Sequence, residues 1–371
     1  MNKTPANAPG PARRWRPSLK RIADECGLTI ATVSRILNDK SNFSCTPETA
    51  QRVRKVAANH RYMPNQLTRG IRDGRTRSIG VISAERLSFH AEIIHGIHHA
   101  LAANNYVMIH EWNDATIHTD KGERETVMLR RLLEHRVDGI ILSPTNEDAT
   151  DLYFREVKER GIPLVILDIP LSRIETDFIG TDNVDCGRQA GDFLIRQGHR
   201  RLFSLFPSAQ TLANSFGERI TGLEEVIGSV GDIRYQRLEY AQALTGFSDR
   251  SAVMTNNMMD VLEPLFAVPD PVAVFCVNDL IAKDLYRLAK ARGKRIPDEI
   301  SVVGVGNLDF ADLLDPPLTS FEQHPYEIGF QAASSVLKRL QEDAPAVPPP
   351  VHLALKCDLV ARQSVRRISR G

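Results

Sequence analysis

Residues 18–37 read Ser-Leu-Lys-Arg-Ile-Ala-Asp-Glu-Cys-Gly-Leu-Thr-Ile-Ala-Thr-Val-Ser-Arg-Ile-Leu, and this stretch decides how the amino-terminal part of the chain folds. Ser18 is a good helix N-cap, and Leu19, Ile22 and Ala23 follow at helical spacing, predicting a short helix over 19–25. Gly27 accepts the left-handed conformation that ends such a helix and permits a tight turn. Thr29 then caps a second helix over 30–37. Its apolar positions Val33, Ile36 and Leu37 point inward, which leaves Ile30, Ala31, Ser34 and Arg35 outside. Two short helices joined by a glycine turn form a helix-turn-helix, whose second helix enters the DNA major groove.

The flanking sequence extends this unit. Thr46-Pro47-Glu48 combines an N-cap, a proline suited to the first helical position and an acid that complements the helix dipole, so a third helix starts there. Ala50, Val53, Val56 and Ala57 form its inward stripe. Pro64 opens and Asp73-Gly74 closes a further segment of about two helical turns, marginal in isolation and suited to ordering on contact with DNA. Residues 1–17 are rich in Pro, Ala, Asn and Arg and read as a disordered basic arm, not as a signal peptide.

Charge divides the chain in the same way. Residues 1–80 hold 4 lysines and 12 arginines against 5 carboxylates, a net +11, whereas the remainder holds 31 basic against 41 acidic groups, a net −10. A basic head on an acidic body is expected when only the head meets a polyanion. The five cysteines are scattered without CxxC spacing, which excludes a zinc cage or disulfide framework and fits a reducing compartment. No apolar run reaches the ~18–20 residues of a membrane helix. The sequence predicts a cytoplasmic, nucleoid-associated protein.

From Ser78 onward, buried strands alternate with helices. Strands are predicted at 79–83, 107–111, 139–143, 164–168, 178–180, 201–206, 273–277 and 301–304, with helices including 123–134, 149–160, 186–197 and 280–292. This alternation implies parallel sheets with helices on both faces, and ligands of such folds bind beyond the carboxyl ends of the strands.

Residues 18–80 resemble the headpiece and hinge of the lactose-repressor (LacI/GalR) family. The resemblance rests on Ile22-Ala23, Thr32-Val33-Ser34-Arg35, Pro47-Glu48-Thr49, Tyr62 and Pro64-Asn65. It continues through Gly180-Thr181-Asp182-Asn183, Gly187, Gly198-His199-Arg200, Asn278-Asp279, the run from Ile296 to Gly304, Pro316-Pro317-Leu318-Thr319 and the run from Leu359 to Ser364. It implies a helix-turn-helix headpiece at 18–63, a hinge helix and linker at 64–77, and an α/β periplasmic-binding-protein-like body at 78–366. The body would comprise two doubly wound parallel-sheet subdomains, 78–180 with 324–351 and 181–322 with 353–366. Chain crossovers are expected near residues 181, 323 and 352.

The same resemblance implies a dimeric regulator, most often a repressor, that binds a pseudo-palindromic operator in double-stranded DNA and responds to a small molecule, a carbohydrate among the candidates. Arg35 suits bidentate reading of guanine, Ile30 and Ala31 suit thymine methyls, and Thr32 and Ser34 suit phosphates. Arg52, Arg54 and Lys55 are further phosphate donors. In the hinge, Asn65, Arg69 and Arg72 join Ile71, the apolar wedge for the minor groove. Arg219, three residues before Gly222, is expected to grip the effector, with Asp168, Asn278 and Asp279 at strand ends beside it. The sequence departs from the family in two places. Gly70 replaces a Ser or Ala in the hinge, and Gly304-Val305-Gly306 lacks the carboxylate of the family's Gly-Phe/Tyr-Asp.

Rival chemistry fares poorly. His95 and His99 share a helical face, but HExxH is absent and zinc needs three or four convergent ligands. They read as surface or dimer-interface histidines. There is no GxxxxGK[ST], GxSxG or Cys/His pairing for catalysis, so no enzyme, cofactor or metal is expected. A regulator or architectural protein without effector response is the main alternative. A solute-binding transport component fits less well.

Overall fold

The computed structural model describes residues 18–37, 43–63, 74–84, 87–113, 121–144, 151–171, 175–207, 214–240, 250–269, 271–341 and 349–368. The chain divides into two units, Met1–Thr76 and Arg77–Gly371.

In the first unit, α1 (Leu19–Cys26), α2 (Ile30–Leu37) and α3 (Pro47–Asn59) form as their caps dictate. Ser18 Oγ accepts from the Arg21 amide at 3.4 Å, and Gly27 ends α1 at φ 61°. Thr29 Oγ1 accepts from the Thr32 amide at 3.1 Å, and Thr46 Oγ1 from the Thr49 amide at 3.3 Å. Ile22, Ala23, Cys26, Val33, Ile36, Val53 and Ala57 are buried together. So small a core supplies modest stability.

The second unit contains two six-stranded sheets. The first comprises β1 (Ser78–Ala84), β2 (Val107–Asn113), β3 (Gly139–Leu142), β4 (Leu164–Leu167), β5 (Asp177–Thr181) and β11 (His352–Leu355), in the order β11-β5-β4-β3-β1-β2 and parallel throughout. The second comprises β6 (Arg201–Pro207), β7 (Arg234–Tyr240), β8 (Val272–Cys276), β9 (Ile300–Val305), β10 (Thr319–Glu322) and β12 (Asp358–Val360), in the order β12-β10-β9-β8-β6-β7. Only β12 runs antiparallel to its neighbour. Both sheets therefore repeat one doubly wound pattern, with the order reversing beside β1 and beside β6.

The helices between strands are α4 (Leu87–Ala103), α5 (Lys121–Glu134), α6 (Asp151–Glu159), α7 (Asn183–Arg196), α8 (Asn214–Ser229), α9 (Arg250–Phe266), α10 (Asp279–Ala291) and α11 (Pro325–Gln341). Helices α7 and α8 meet at Gly187 and Gly222. A methyl group at Gly187 would overlap the Arg219 carbonyl oxygen, and one at Gly222 the Val184 carbonyl oxygen. This close approach sets where α8 carries Arg219.

The chain passes between the sheets three times. The first two crossings lie at 181–183 and at 323–324, near the expected positions. The third lies at Lys356-Cys357 and not near 352, because residues 352–355 pair with β5 in the first sheet. The crossings are tied together: Gln323 Nε2 donates to Thr181 Oγ1 at 3.1 Å, and the Asp182 amide donates to the Leu355 carbonyl at 2.8 Å. Four strands were not predicted: β7, β10, β11 and β12. β7 and β11 are sheet edges with much exposed side-chain surface, and β10 and β12 are only 4 and 3 residues long. None carries the apolar run that marks an interior strand.

The carboxyl-terminal segment docks on the second sheet. The Ile368 amide donates to the Gln197 carbonyl at 2.7 Å, and His199 Nε2–H donates to the Arg366 carbonyl at 3.1 Å. His199 is fully buried, and its Nδ1 has no partner among the described residues. Burial, reinforced by the charges of Arg366 and Arg200, lowers its pKa from 6.5 to about 4 despite the bond to the carbonyl. The folded state thus prefers neutral His199, so this stabilisation is complete above pH 6.5 and is lost as pH falls toward 4. Between pH 7.5 and 5, wild type should lose about 2 kcal/mol more stability than His199→Gln, measured by urea unfolding at each pH.

Candidate functional site

Helix α2 turns Val33 and Ile36 into the headpiece core and presents the opposite face to solvent. Ile30 is 48% exposed for a large apolar side chain, and Ala31 and Arg35 are exposed beside it. Thr32 is half-buried, and its hydroxyl shares a hydrogen bond with that of Thr29 at 2.9 Å. Ser34 is half-buried as well. The guanidinium of Arg35 lies over the ring of Phe43, 5.5 Å from its centroid. Arg52, expected as a phosphate donor, is exposed and donates through Nη2 to the Cys26 carbonyl at 3.1 Å, closing the carboxyl end of α1. Asn65, Arg69, Ile71 and Arg72 lie outside the described residues.

In the body, Arg219, Asn278, Asp279 and Asp168 all fall near the carboxyl ends of strands. Arg219 is 4% exposed; its Nε donates to Asn183 Oδ1 at 2.9 Å and its Nη1 to the Val277 carbonyl at 2.5 Å. Asn183 in turn donates through Nδ2 to Glu218 at 3.2 Å. Burial pushes the Glu218 carboxyl up, and the charges of Asp168 and Asp182 add to this, against the lowering influence of Asn183 and Arg219. Asp168, which ends β4 of the first sheet at φ 65°, is therefore felt by a carboxylate of the second.

Asn278 and Asp279 begin α10 and differ in their work. Asn278 Oδ1 caps the helix by accepting from the Ile281 amide at 2.9 Å. Asp279 is fully buried, with Oδ1 accepting from Ser320 Oγ at 2.7 Å and Oδ2 from the Leu308 amide at 2.8 Å. Burial raises its pKa from 3.8 to about 6, although those two hydrogen bonds and the charges of Arg362 and Arg219 oppose the shift. One carboxylate oxygen, Oδ2, thus secures the segment after β9, which contains Gly306 at φ 123°, and the other ties α10 to Ser320 of β10.

A cavity of about 440 Å³ lies where the two sheets face each other. Phe89 and Glu92 from α4, Gly306 to Asp309 after β9, and residues 322–327 at the second crossing line it. None of the four predicted effector residues is among them, but Gly306, the position that lacks the family carboxylate, is. Asn307, on the cavity wall, accepts from Arg362 Nη2 at 2.7 Å and donates to Glu322 at 2.8 Å. This network was not predicted; Arg362 belongs to a terminal motif whose partner is 55 residues away.

His95 and His99 of α4 pack against Tyr326 of α11. His99 Nδ1 and the Tyr326 hydroxyl are 2.8 Å apart, and the His95 ring meets that of His99 at 4.9 Å. Among the described residues, no three His, Cys, Asp or Glu side chains converge as a metal site, and no helix is long and apolar enough to cross a membrane.

Comparison with known proteins agrees with this architecture. The profile described as bacterial regulatory proteins, lacI family, matches residues 18–65, and that of the periplasmic binding protein-like domain matches 192–365. The transcriptional regulator CelR of Thermobifida fusca is 28% identical over 360 residues, covering 95% of this chain and 99% of the relative. The transcriptional repressor PurR of Vibrio atlanticus is 28% identical, covering 88% and 92%. Among solved structures, the lac repressor dimer bound to operator and the anti-inducer ONPF aligns over 95% of this chain and 100% of that one, with a TM-score of 0.78 at 20% identity. A CelR–cellobiose complex aligns over 94% and 100%, with a TM-score of 0.60 at 25% identity. With both profiles in order and relatives spanning nearly the whole chain, the protein is similar along its length to DNA-binding transcription regulators of the bacterial lacI family.

Proposed function

We propose that this protein binds a pseudo-palindromic operator as a homodimer and represses transcription until a small hydroxylated effector alters its body. The observation that carries the proposal is α2, which buries Val33 and Ile36 while presenting Ile30, Ala31 and Arg35 on the surface of a strongly basic unit. In this reading Arg35 forks onto a guanine, Ile30 and Ala31 touch thymine methyls, and Thr32 and Ser34 engage phosphates. Asn65, Arg69 and Arg72 grip the minor-groove side, where Ile71 wedges between base pairs. The protein works in the cytoplasm, at the nucleoid.

The effector lies between the sheets. The cavity volume suits a mono- or disaccharide, and a relative's structure holds cellobiose. Asn307 and Glu322 supply polar contacts from the cavity wall. Arg219, Asp168 and Asn278, which stand at strand ends outside that lining, meet the part of the effector that extends beyond it. Asp279 acts on the effector by fixing the Gly306 to Leu308 wall. Gly306 brings no carboxylate, which favours a ligand held by fewer charged contacts than the family's pattern implies.

Electrophoretic mobility measurements with selected operator and scrambled DNA test the proposal. At fixed salt the operator should bind at least about 10³-fold tighter, and a sugar that raises the thermal midpoint should change operator affinity. Equal affinity for both DNAs would refute sequence-specific repression. A specific operator with no responsive ligand would instead leave a regulator without effector control.

A further inference from the structure

We infer that Phe43 is a positioning residue for base reading: it holds the Arg35 guanidinium ready for guanine before DNA arrives. The inference rests on the reading of Arg35 as the base-contacting arginine. Three observations carry it. Phe43 is half-buried and packs against the headpiece core, so its ring is fixed by the same cluster that sets α2. The Arg35 guanidinium carbon lies 5.5 Å from that ring's centroid, within the range of a cation–π contact. No hydrogen bond or ion pair with a described residue engages Arg35, whereas Arg52 spends Nη2 on a carbonyl.

The chemistry follows from what an aromatic face offers. It attracts the cation through its quadrupole but supplies no oxygen or nitrogen acceptor, so the N–H groups stay available for guanine O6 and N7. A long, free arginine must give up side-chain freedom on binding; one already held over a ring gives up less. A ring at position 43 therefore sharpens discrimination at one base pair without itself touching DNA.

The test measures binding of the full chain to operators carrying each of the four bases at every position. The proteins are wild type, Arg35→Ala, Phe43→Leu and the double variant. Phe43→Leu should lower the preference at the Arg35 base pair about threefold while leaving affinity for non-specific DNA at the same salt unchanged. In the Arg35→Ala background it should cause no further loss of preference. Phe43→Tyr, which keeps the ring, should retain wild-type discrimination. Should Leu unfold the headpiece, Phe43→Met provides a ringless, better-filling replacement. Full discrimination in Phe43→Leu, or an equal loss with and without Arg35, would overturn the inference while sparing the role of Arg35. A uniform loss across all operators in Arg35→Ala would remove the base-reading assignment and this inference with it.

Discussion

Arg219→Ala should lower the stability of the body by about 2–4 kcal/mol, the cost of leaving two buried acceptors without their donor. The side chain is 4% exposed and serves two groups at once, Asn183 Oδ1 and the Val277 carbonyl. Truncation strands both, and a buried acceptor without a donor costs ~1–3 kcal/mol. Glu218, already raised by burial, also loses the cation that opposes the shift. Arg219→Lys should fall between, because an ammonium lacks the planar fork that reaches both acceptors. Denaturant unfolding of the three proteins checks this, and a loss below about 1 kcal/mol in the Ala variant would contradict it. If Arg219 contacts the effector as proposed, the Ala variant should also lose the ligand-induced change in operator affinity.

Asp279→Ala is the second large effect. Leu308 N–H and the buried Ser320 hydroxyl lose their acceptor, for a net loss of about 2–4 kcal/mol at pH 7.5. The pH dependence distinguishes this site from an ordinary surface aspartate. Its folded pKa of about 6 lies above the unfolded 3.8, so the folded state holds the proton more tightly. This group therefore costs stability above pH 6, and the cost is relieved as pH falls from 6 toward 3.8. The gap between wild type and Asp279→Ala should widen by about 1 kcal/mol from pH 7.5 to 5. Asp279→Asn keeps an acceptor for Leu308 N–H and should lose only the pH dependence. A gap that narrows on acidification would show that burial does not govern this carboxyl.

Local physics made the headpiece legible. Each cap of α1, α2 and α3 involves residues three positions apart, and the alternation of inward and outward side chains needs no knowledge of distant partners. Most interior strands were legible for the opposite reason: a parallel strand covered on both faces is an apolar run whatever it pairs with, whereas interior β10 is four residues, Thr-Ser-Phe-Glu, with no such run. The edges β7 and β11 were not, because one-sided burial admits Arg, Glu and His and erases the run. Of the candidate site, the position of Asp168 and the cap at Asn278 could be read. The destination of Asp279 could not, since Leu308 and Ser320 are 29 and 41 residues away. Phe43 escaped notice for a related reason: its ring acts through Arg35, and nothing in its spacing marks that contact.

The most direct test of the account is selection of bound DNA from a random library by the full-length protein at fixed salt, repeated with Arg35→Ala. The account predicts two inverted half-sites around a common centre, with one strongly preferred guanine per half-site that becomes degenerate in the variant. No enriched motif, or an unchanged motif bound uniformly more weakly by Arg35→Ala, would contradict it.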